Sequence, residues 1–186
     1  MKEYKLPIGC DVPETIILAD GDFPSHPLAL EWLRQCPYVV CCDGAANTYI
    51  RSGRMPEAIV GDGDSLLPDI KERYASLIHS EAEQETNDLS KAFRFCLSQE
   101  RKRITIMGAT GKREDHTIGN VSLLADYMEQ AEVSMMTDYG IFVPIREDSM
   151  FESYIGQQIS VFNMNSTALS AEGLAYPLSV FTNWWQ

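Results

Sequence analysis

The chain has 186 residues, 45% of them apolar, with 15 basic against 27 acidic side chains and a formal charge of −12 at pH 7. This length supports one ample α/β core or two small domains, and the charge repels a nucleic-acid backbone unless a basic patch concentrates locally. The longest apolar stretches, Tyr38 to Cys42 and Ile104 to Met107 among them, are strand-sized and well short of the roughly 20 residues of a membrane helix, so neither nucleic acid nor membrane is an expected partner.

The first ten residues, Met1 to Cys10, carry charge but no continuous apolar core and no small-residue cleavage pattern, which predicts a cytoplasmic protein. From residue 14 to 130, short β-branched runs alternate with longer segments of helical period, the pattern of βαβ units and a parallel sheet. The predicted strands are Thr15–Ala19, Tyr38–Cys42, Ala58–Val60, a weak one near Leu77–His79, and Ile104–Met107. Gly53 suits a helix C-terminus, and Ile70, Tyr74 and Leu77 mark a helical face. A clearer helix is predicted from about Asn87 to Gln99, where Leu89, Ala92, Phe93, Cys96 and Leu97 fall on one stripe. Arg101-Lys102-Arg103 follows as a solvated turn, and a further helix begins near Asp115, carrying Ile118, Val121, Ala125 and Met128.

From about Ala131 the character changes: Val133–Met136, Ile141–Ile145 and Gln158–Asn163 read as strands separated by turns, with no helix between them. The expected organisation is therefore a domain over 1–130, a parallel-sheet Rossmann-like α/β unit with helices on both faces, followed over 131–186 by a smaller all-β domain. The latter is too small to bury much surface alone, and should lean on its neighbour or on another subunit. The five cysteines, Cys10, Cys36, Cys41, Cys42 and Cys96, form an odd set without CxxC spacing and are expected to be reduced and structural.

The chemistry is carried by where the acids fall relative to the strands. Asp43-Gly44-Ala45-Ala46-Asn47 follows one strand and Gly61-Asp62-Gly63-Asp64-Ser65 the next, so both turns sit at carboxyl ends of parallel strands, the binding edge of an open α/β sheet. Asp62 and Asp64, at i and i+2, can aim two carboxylates into one space, and hard oxygen donors on such turns suit Mg²⁺ together with substrate phosphates. Either turn alone is an ordinary use of Asp and Gly; two in succession, with Asp88 opening the next strong helix, are not. The fifth strand runs into Gly108-Ala109-Thr110-Gly111-Lys112-Arg113-Glu114-Asp115-His116, a glycine-rich loop before a helix N-terminus where anions bind readily. It is not a Walker A loop, and no complete GxGxxG occurs. Arg113 offers a planar fork to phosphate oxygens, whereas His116 on its own reads as a cap or packed polar residue without a zinc ligand set.

Taken in order, these segments, with Asn87-Asp88-Leu89-Ser90-Lys91-Ala92 between them, resemble the thiamine pyrophosphokinase family. Its members share an Asp-Gly-(Gly/Ala)-Ala-Asn turn, a Gly-Asp-x-Asp-Ser turn, a Thr-Asp-x-x-Lys/x-Ala helix start, and a Gly-x-x-Gly-Arg-x-Asp-His loop. The resemblance implies an α/β domain followed by a β-sandwich in a homodimer with sites between subunits. It also implies Mg²⁺-dependent transfer of pyrophosphate from ATP, the co-substrate, to the hydroxyl of thiamine, giving thiamine diphosphate and AMP. By the same resemblance Asp43, Asp62, Asp64 and Asp88 form the acidic group for the metal and the reacting phosphates. Asp62, Asp64 and Asp88 are the catalytic members, and Asp88 is either a general base or an indirect metal ligand. Gln84 lies near the substrate pocket, while Asn47, Arg113, Asp115 and His116 belong to the nucleotide side.

The sequence departs from the pattern at Gly63, where the family carries a larger apolar residue, and at Asn87, which replaces threonine. It also ends at Trp184-Trp185-Gln186, where the family continues into a Gly-x-Ser-Asn segment. Tyr176, Phe181, Trp184 and Trp185 place aromatic faces near that end, suited to packing against a flat cationic acceptor across a dimer interface. The alternatives are a related kinase acting on another small alcohol and a nucleotide-binding protein with impaired turnover.

Overall fold

The computed structural model describes residues 1–7, 11–80, 85–164, 169–176 and 178. Gln84, Cys10, Phe181, Trp184 and Trp185 lie outside them. The chain divides into two compact units, one of Met1 with Pro7–Ser149 and one of Lys2–Leu6 with Met150–Gln186.

In the first unit β2 (Thr15–Leu18), β3 (Val39–Cys42), β4 (Ala58–Val60) and β5 (Ile78–His79) run outward from the centre, the chain then returns to place β6 (Arg103–Met107) and β7 (Glu132–Met136) on the other side, and β8 (Ile141–Phe142) closes that edge. The order is β5-β4-β3-β2-β6-β7-β8, with every described pairing parallel except the antiparallel β7 and β8. Strands buried on both faces need no polar alternation, and β2, β3 and β4 are accordingly apolar runs with every residue buried. Successive side chains nonetheless part to opposite faces. Ile17, Val40, Cys42, Val60 and Ile106 pack with residues of α4 (Asp88–Ser98) and α5 (Glu114–Tyr127). Ile16, Leu18, Val39, Cys41 and Ile59 pack with residues of α1 (Pro27–Gln35), α2 (Ala45–Arg51) and α3 (Pro68–Arg73). The result is a mixed α/β unit with a central sheet.

Helix ends follow local chemistry. Pro27 opens α1 behind His26, whose Nδ1 accepts from Leu28 N–H, and Gly53 takes the left-handed conformation (φ +84°) just past the Ser52 cap of α2. Asn87 caps α4, its Oδ1 accepting from Ser90 N–H at 2.9 Å, so the replacement of threonine there keeps a strong N-cap.

The division between units falls later than the change of character at 130/131 in the sequence. Val133, Met135 and Met136 continue the sheet through β7, in register with Ile104, Ile106 and Met107. In the second unit β1 (Lys2–Tyr4) and β9 (Ser149–Phe151) form a two-stranded sheet, on which Tyr4 and Phe151 stack with ring centroids 4.7 Å apart. The strand expected over Gln158–Asn163 does not form: among the described residues this stretch is irregular and pairs with no strand. Cys36, Cys41, Cys42 and Cys96 are free thiols, the last three buried, and burial pushes the Cys96 thiol up to about 12. Among the described residues no helix is long and apolar enough to cross a membrane.

Candidate active site

The chain reverses its direction of travel across the sheet between β2 and β6, and in an open α/β sheet ligands bind outside the carboxyl ends of the strands at such a point. The turns after β2, β3, β4 and β6, and the start of α4, all belong to this edge. Asp43 is the first residue after β3 and has a positive φ of 32°, rare for a residue with a side chain. It is 4% exposed, and its Oδ2 accepts from Ser65 N–H at 3.0 Å. Its Oδ1 is buried without a hydrogen-bond partner. Burial raises the Asp43 carboxyl above its ordinary pKa, and the charges of Asp88 and Asp62 push in the same direction, against the Ser65 hydrogen bond.

Gly61 explains how these acids come so close. A β-carbon there would lie 2.8 Å from Cβ of Asp43 and 3.4 Å from Cγ of Asp88, so the backbone after β4 fits between the two side chains only without one of its own. Asp62 and Asp64 are exposed, and Oδ1 of Asp62 accepts from Asp64 N–H at 3.0 Å, fixing an Asx turn. Asn47 braces the same loop, donating to Ser65 O at 2.8 Å and accepting from Leu67 N–H at 3.0 Å. Both ends of its amide are thereby engaged in holding the turn. Lys71 also donates to Gly63 O at 2.8 Å.

Asp88 is the first residue of α4 and accepts from Lys91 at 3.0 Å, a lysine whose side chain is only 5% exposed. Behind it Asn87 donates to Asn120 at 3.1 Å, and Asn120, buried in α5, donates to Ala109 O at 2.8 Å. This ties the start of α4 to the glycine-rich loop. Arg113 and Asp115, expected on either side of a nucleotide, pair with each other through the guanidinium fork (3.0 and 2.5 Å), and His116 is exposed on the first turn of α5. That pairing holds the Asp115 carboxyl below its usual range.

The structure thus brings Asp43, Asp62 and Asp88 into one electrostatic neighbourhood, with Asp64 on the same turn. Among the described residues no three His, Cys, Asp or Glu side chains converge tightly enough to hold a metal by themselves. The set still fits Mg²⁺, which takes one or two carboxylates and completes its octahedron with waters and substrate phosphates, and the unsatisfied Oδ1 of Asp43 is a hard donor lacking a partner.

Two functional candidates escaped the sequence reading. Asp20 and Asp22 follow β2 in Ala19-Asp20-Gly21-Asp22, the same acid–glycine–acid signal that marks the turn after β4, and Lys112 reaches Asp20 with Nζ 3.0 Å from its Oδ1.

Comparison with known proteins decides the family. A sequence model of the thiamin pyrophosphokinase catalytic domain matches residues 29–136, and one of the thiamin pyrophosphokinase substrate-binding domain matches 140–186. The chain belongs to the thiamin pyrophosphokinase family. Thiamine pyrophosphokinase 1 of Oryza sativa subsp. japonica is 30% identical over 129 residues, covering 56% of this chain and 49% of the relative. Thiamine pyrophosphokinase of Bacillus subtilis (strain 168) is 34% identical over 86 residues, 44% of this chain and 40% of the relative. The chain spans about half the length of the curated relatives it matches. Among solved structures, yeast thiamin pyrophosphokinase superposes with a TM-score of 0.59 at 19% identity over 73% of this chain and 63% of that one, a likeness of fold. The enzyme from Geobacillus thermodenitrificans superposes at 0.54 with 26% identity, over 66% of this chain and 58% of that one.

Proposed function

We propose that this family member is a cytoplasmic thiamine pyrophosphokinase, transferring the terminal pyrophosphate of ATP to the hydroxyl of thiamine and releasing AMP. The observation that carries the reading is the buried, partnerless Oδ1 of Asp43 set beside Asp62 and Asp88 at the carboxyl edge of a parallel sheet. Asp43, Asp62, Asp64 and Asp88 would form the acidic group around Mg²⁺, with one or two of the first three as its ligands, and the ion would supply charge neutralisation on the donor phosphates.

The chain's own residues do the positioning. Asn47, Lys71 and Asp43 fix the turn that presents Asp62 and Asp64, and Lys91 orients the Asp88 carboxylate. The thiamine hydroxyl oxygen bonds to the β-phosphorus and loses its proton. The bond from the β-phosphorus to the oxygen bridging it to the α-phosphorus breaks, and that oxygen leaves with AMP. Asp88, half-buried and directed to this edge, is the acceptor we assign to the hydroxyl proton. Arg113, Asp115, His116 and Gln84 would belong to the substrate side of the site, and Asn47 would serve it through the turn it holds.

The Rossmann-like unit would carry the donor, and a β-rich C-terminal domain the acceptor, working as a homodimer. Support for the dimer comes from the apolar side chains the second unit leaves exposed, Tyr154, Ile155, Ile159 and Met164 among them. Incubation with thiamine, ATP and Mg²⁺ followed by identification of both products tests the reading. Thiamine diphosphate with AMP is expected, whereas thiamine monophosphate with ADP, or no thiamine product, overturns it.

A further inference from the structure

The turn after β2 and the loop after β6 meet at the point where strand order reverses. Backbone bonds from Gly21 N–H to Gly108 O (2.7 Å) and from Asp22 N–H to Thr110 O (2.9 Å) zip them together below a cavity of about 200 Å³. Asp20, Gly21, Phe23, Thr48 and Lys112 are among its walls. Across it Lys112 donates to both Asp20 O (2.9 Å) and Asp20 Oδ1 (3.0 Å). The other carboxylate oxygen of Asp20 faces Gly44, at a point 2.5 Å from where a β-carbon on that residue would sit. Asp20 therefore stands between Lys112 and the Asp43 turn.

Lys112 itself has a left-handed backbone (φ +57°), a conformation that costs a residue bearing a side chain, so its placement at the mouth of the cavity is held against a local preference. Both partners are roughly half exposed, 54% for the lysine and 45% for the aspartate, and an ion pair so open to water is readily exchanged for another. The chain carries a charge of −12, so a polyanion approaching this edge needs a local cation. Of the nearby cations, Lys91 engages Asp88, Lys71 the Gly63 carbonyl and Arg113 Asp115. Among the described residues Lys112 is the cation lying across the reversal point.

We infer that Lys112 is a binding residue for the polyphosphate of a nucleoside triphosphate, and that Asp20 competes with the phosphates for it, setting donor affinity. In the free protein the ammonium rests on Asp20; on binding, phosphate oxygens take over as acceptors and the lysine swings inward over the glycine-rich loop. Asp20 is on this view a brake on donor binding rather than a ligand contact. The inference rests on the proposed function only in taking the donor to be a nucleoside triphosphate; it is indifferent to the acceptor.

The test is calorimetric titration, in the presence of Mg²⁺, of ATP and of inorganic tripolyphosphate into the wild type, Lys112→Gly and Asp20→Asn, with thiamine diphosphate formation assayed separately. Glycine suits the left-handed backbone, so Lys112→Gly should fold at least as well as the wild type, checked by its thermal transition. Lys112→Gly should bind both probes roughly tenfold more weakly, the scale of one charge-assisted hydrogen bond, and Asp20→Asn about threefold more tightly. Lys112→Arg should restore most of the binding. Wild-type affinity in Lys112→Gly, weaker binding in Asp20→Asn, or no binding of either probe by the wild type would overturn the inference. The expected binding pattern without formation of thiamine diphosphate would support it while removing the acceptor assigned above.

Discussion

In the sheet-bearing unit Ile16, Ile17, Leu18, Val40 and Ile106 have no exposed surface at all, while in the second unit Ile155 is fully exposed, Tyr176 is 86% exposed and Met164 61%. Both regions have comparable apolar side chains. The difference lies in whether neighbours in the same chain cover them: parallel strands with helices on each face bury a strand twice, whereas a two-stranded sheet buries little. The contrast teaches that the described residues of the first unit cover one another, whereas those of the second leave Ile155, Tyr176 and Met164 open.

The sharpest way to break this contrast is to replace one apolar side chain in each unit. Phe93 is 1% exposed and stacks on Tyr127 with ring centroids 3.9 Å apart. Phe93→Ala should cost about 3–5 kcal/mol, measured by denaturant unfolding. Ile155→Asp should leave the unfolding of the sheet unit unchanged and instead shift a dimer toward monomer in sedimentation velocity, by about tenfold or more in dissociation constant if the residue is central to the interface. Equal losses of stability in the two variants would show that the second unit is a self-sufficient core.

What was legible in the sequence divides along the same line. β2, β3, β4 and β6 were readable because strands covered on both faces are continuous apolar runs, and α4 because Leu89, Ala92, Phe93 and Cys96 share one stripe. α1 was missed although Pro27 at its start and Ala29, Trp32 and Leu33 at helical spacing were visible; its N-cap is a histidine, an unusual capping signal. The acidic turns were found from strand ends alone. Asn120 was not, because a buried asparagine in mid-helix acquires its role only when α5 packs against the loop after β6. Nor did sequence reveal that Arg113 and Asp115 would pair with each other, since two residues of a motif can face a ligand or one another with the same spacing. The strand expected over Gln158–Asn163 had the right composition, but a strand needs a partner that sequence does not name.

Within the well-packed unit, the exposed carboxylates should matter to chemistry and not to folding. Asp62→Asn and Asp64→Asn should each lower kcat at least ~100-fold, the scale for losing one strong electrostatic contact in a transition state, with unchanged thermal transitions. Wild-type turnover in both would remove this turn from the metal site. Loss of activity accompanied by a large loss of stability would make the turn part of the scaffold.

Asp43 tests the boundary between scaffold and site, because it is buried like a core residue but charged like a ligand. Its raised pKa means that the folded protein holds a proton that the unfolded chain has already released once pH exceeds the ordinary aspartate range. Stability of the metal-free protein therefore falls as pH rises between the unfolded and folded pKa values, and the penalty is complete above the latter. Asp43→Asn keeps an acceptor for Ser65 N–H, tolerates the positive φ better and removes the charge. It should be inactive yet more stable at pH 7 by on the order of 1 kcal/mol, about 2–4 °C in Tm for a chain of this size. Saturating Mg²⁺ should narrow that gap by stabilising the wild type alone. A variant less stable than the wild type at neutral pH would show that the carboxylate is satisfied in a way its orphaned oxygen does not suggest.

The smallest effect is expected at Lys71, where an exposed residue acts on the site only through the backbone. Its ammonium donates to the carbonyl of Gly63, the residue between Asp62 and Asp64, and a β-carbon at 63 would lie 3.2 Å from that same nitrogen. Lys71 thus rests against the space a larger residue at 63 would need. The turn is also held by Asp43 at Ser65 and by Asn47 at Ser65 and Leu67, so removing one of these supports should loosen the carboxylates without releasing them. Lys71→Met, which keeps the stem and loses the donor, should lower kcat about threefold to tenfold, the range of one modest hydrogen bond, with the KM for thiamine unchanged. Lys71→Arg should recover most of the rate, because a guanidinium can still reach the carbonyl. A fall that Arg fails to rescue would assign the effect to packing of the stem, and an unaltered kcat in Lys71→Met would leave Asp43 and Asn47 sufficient to hold the turn.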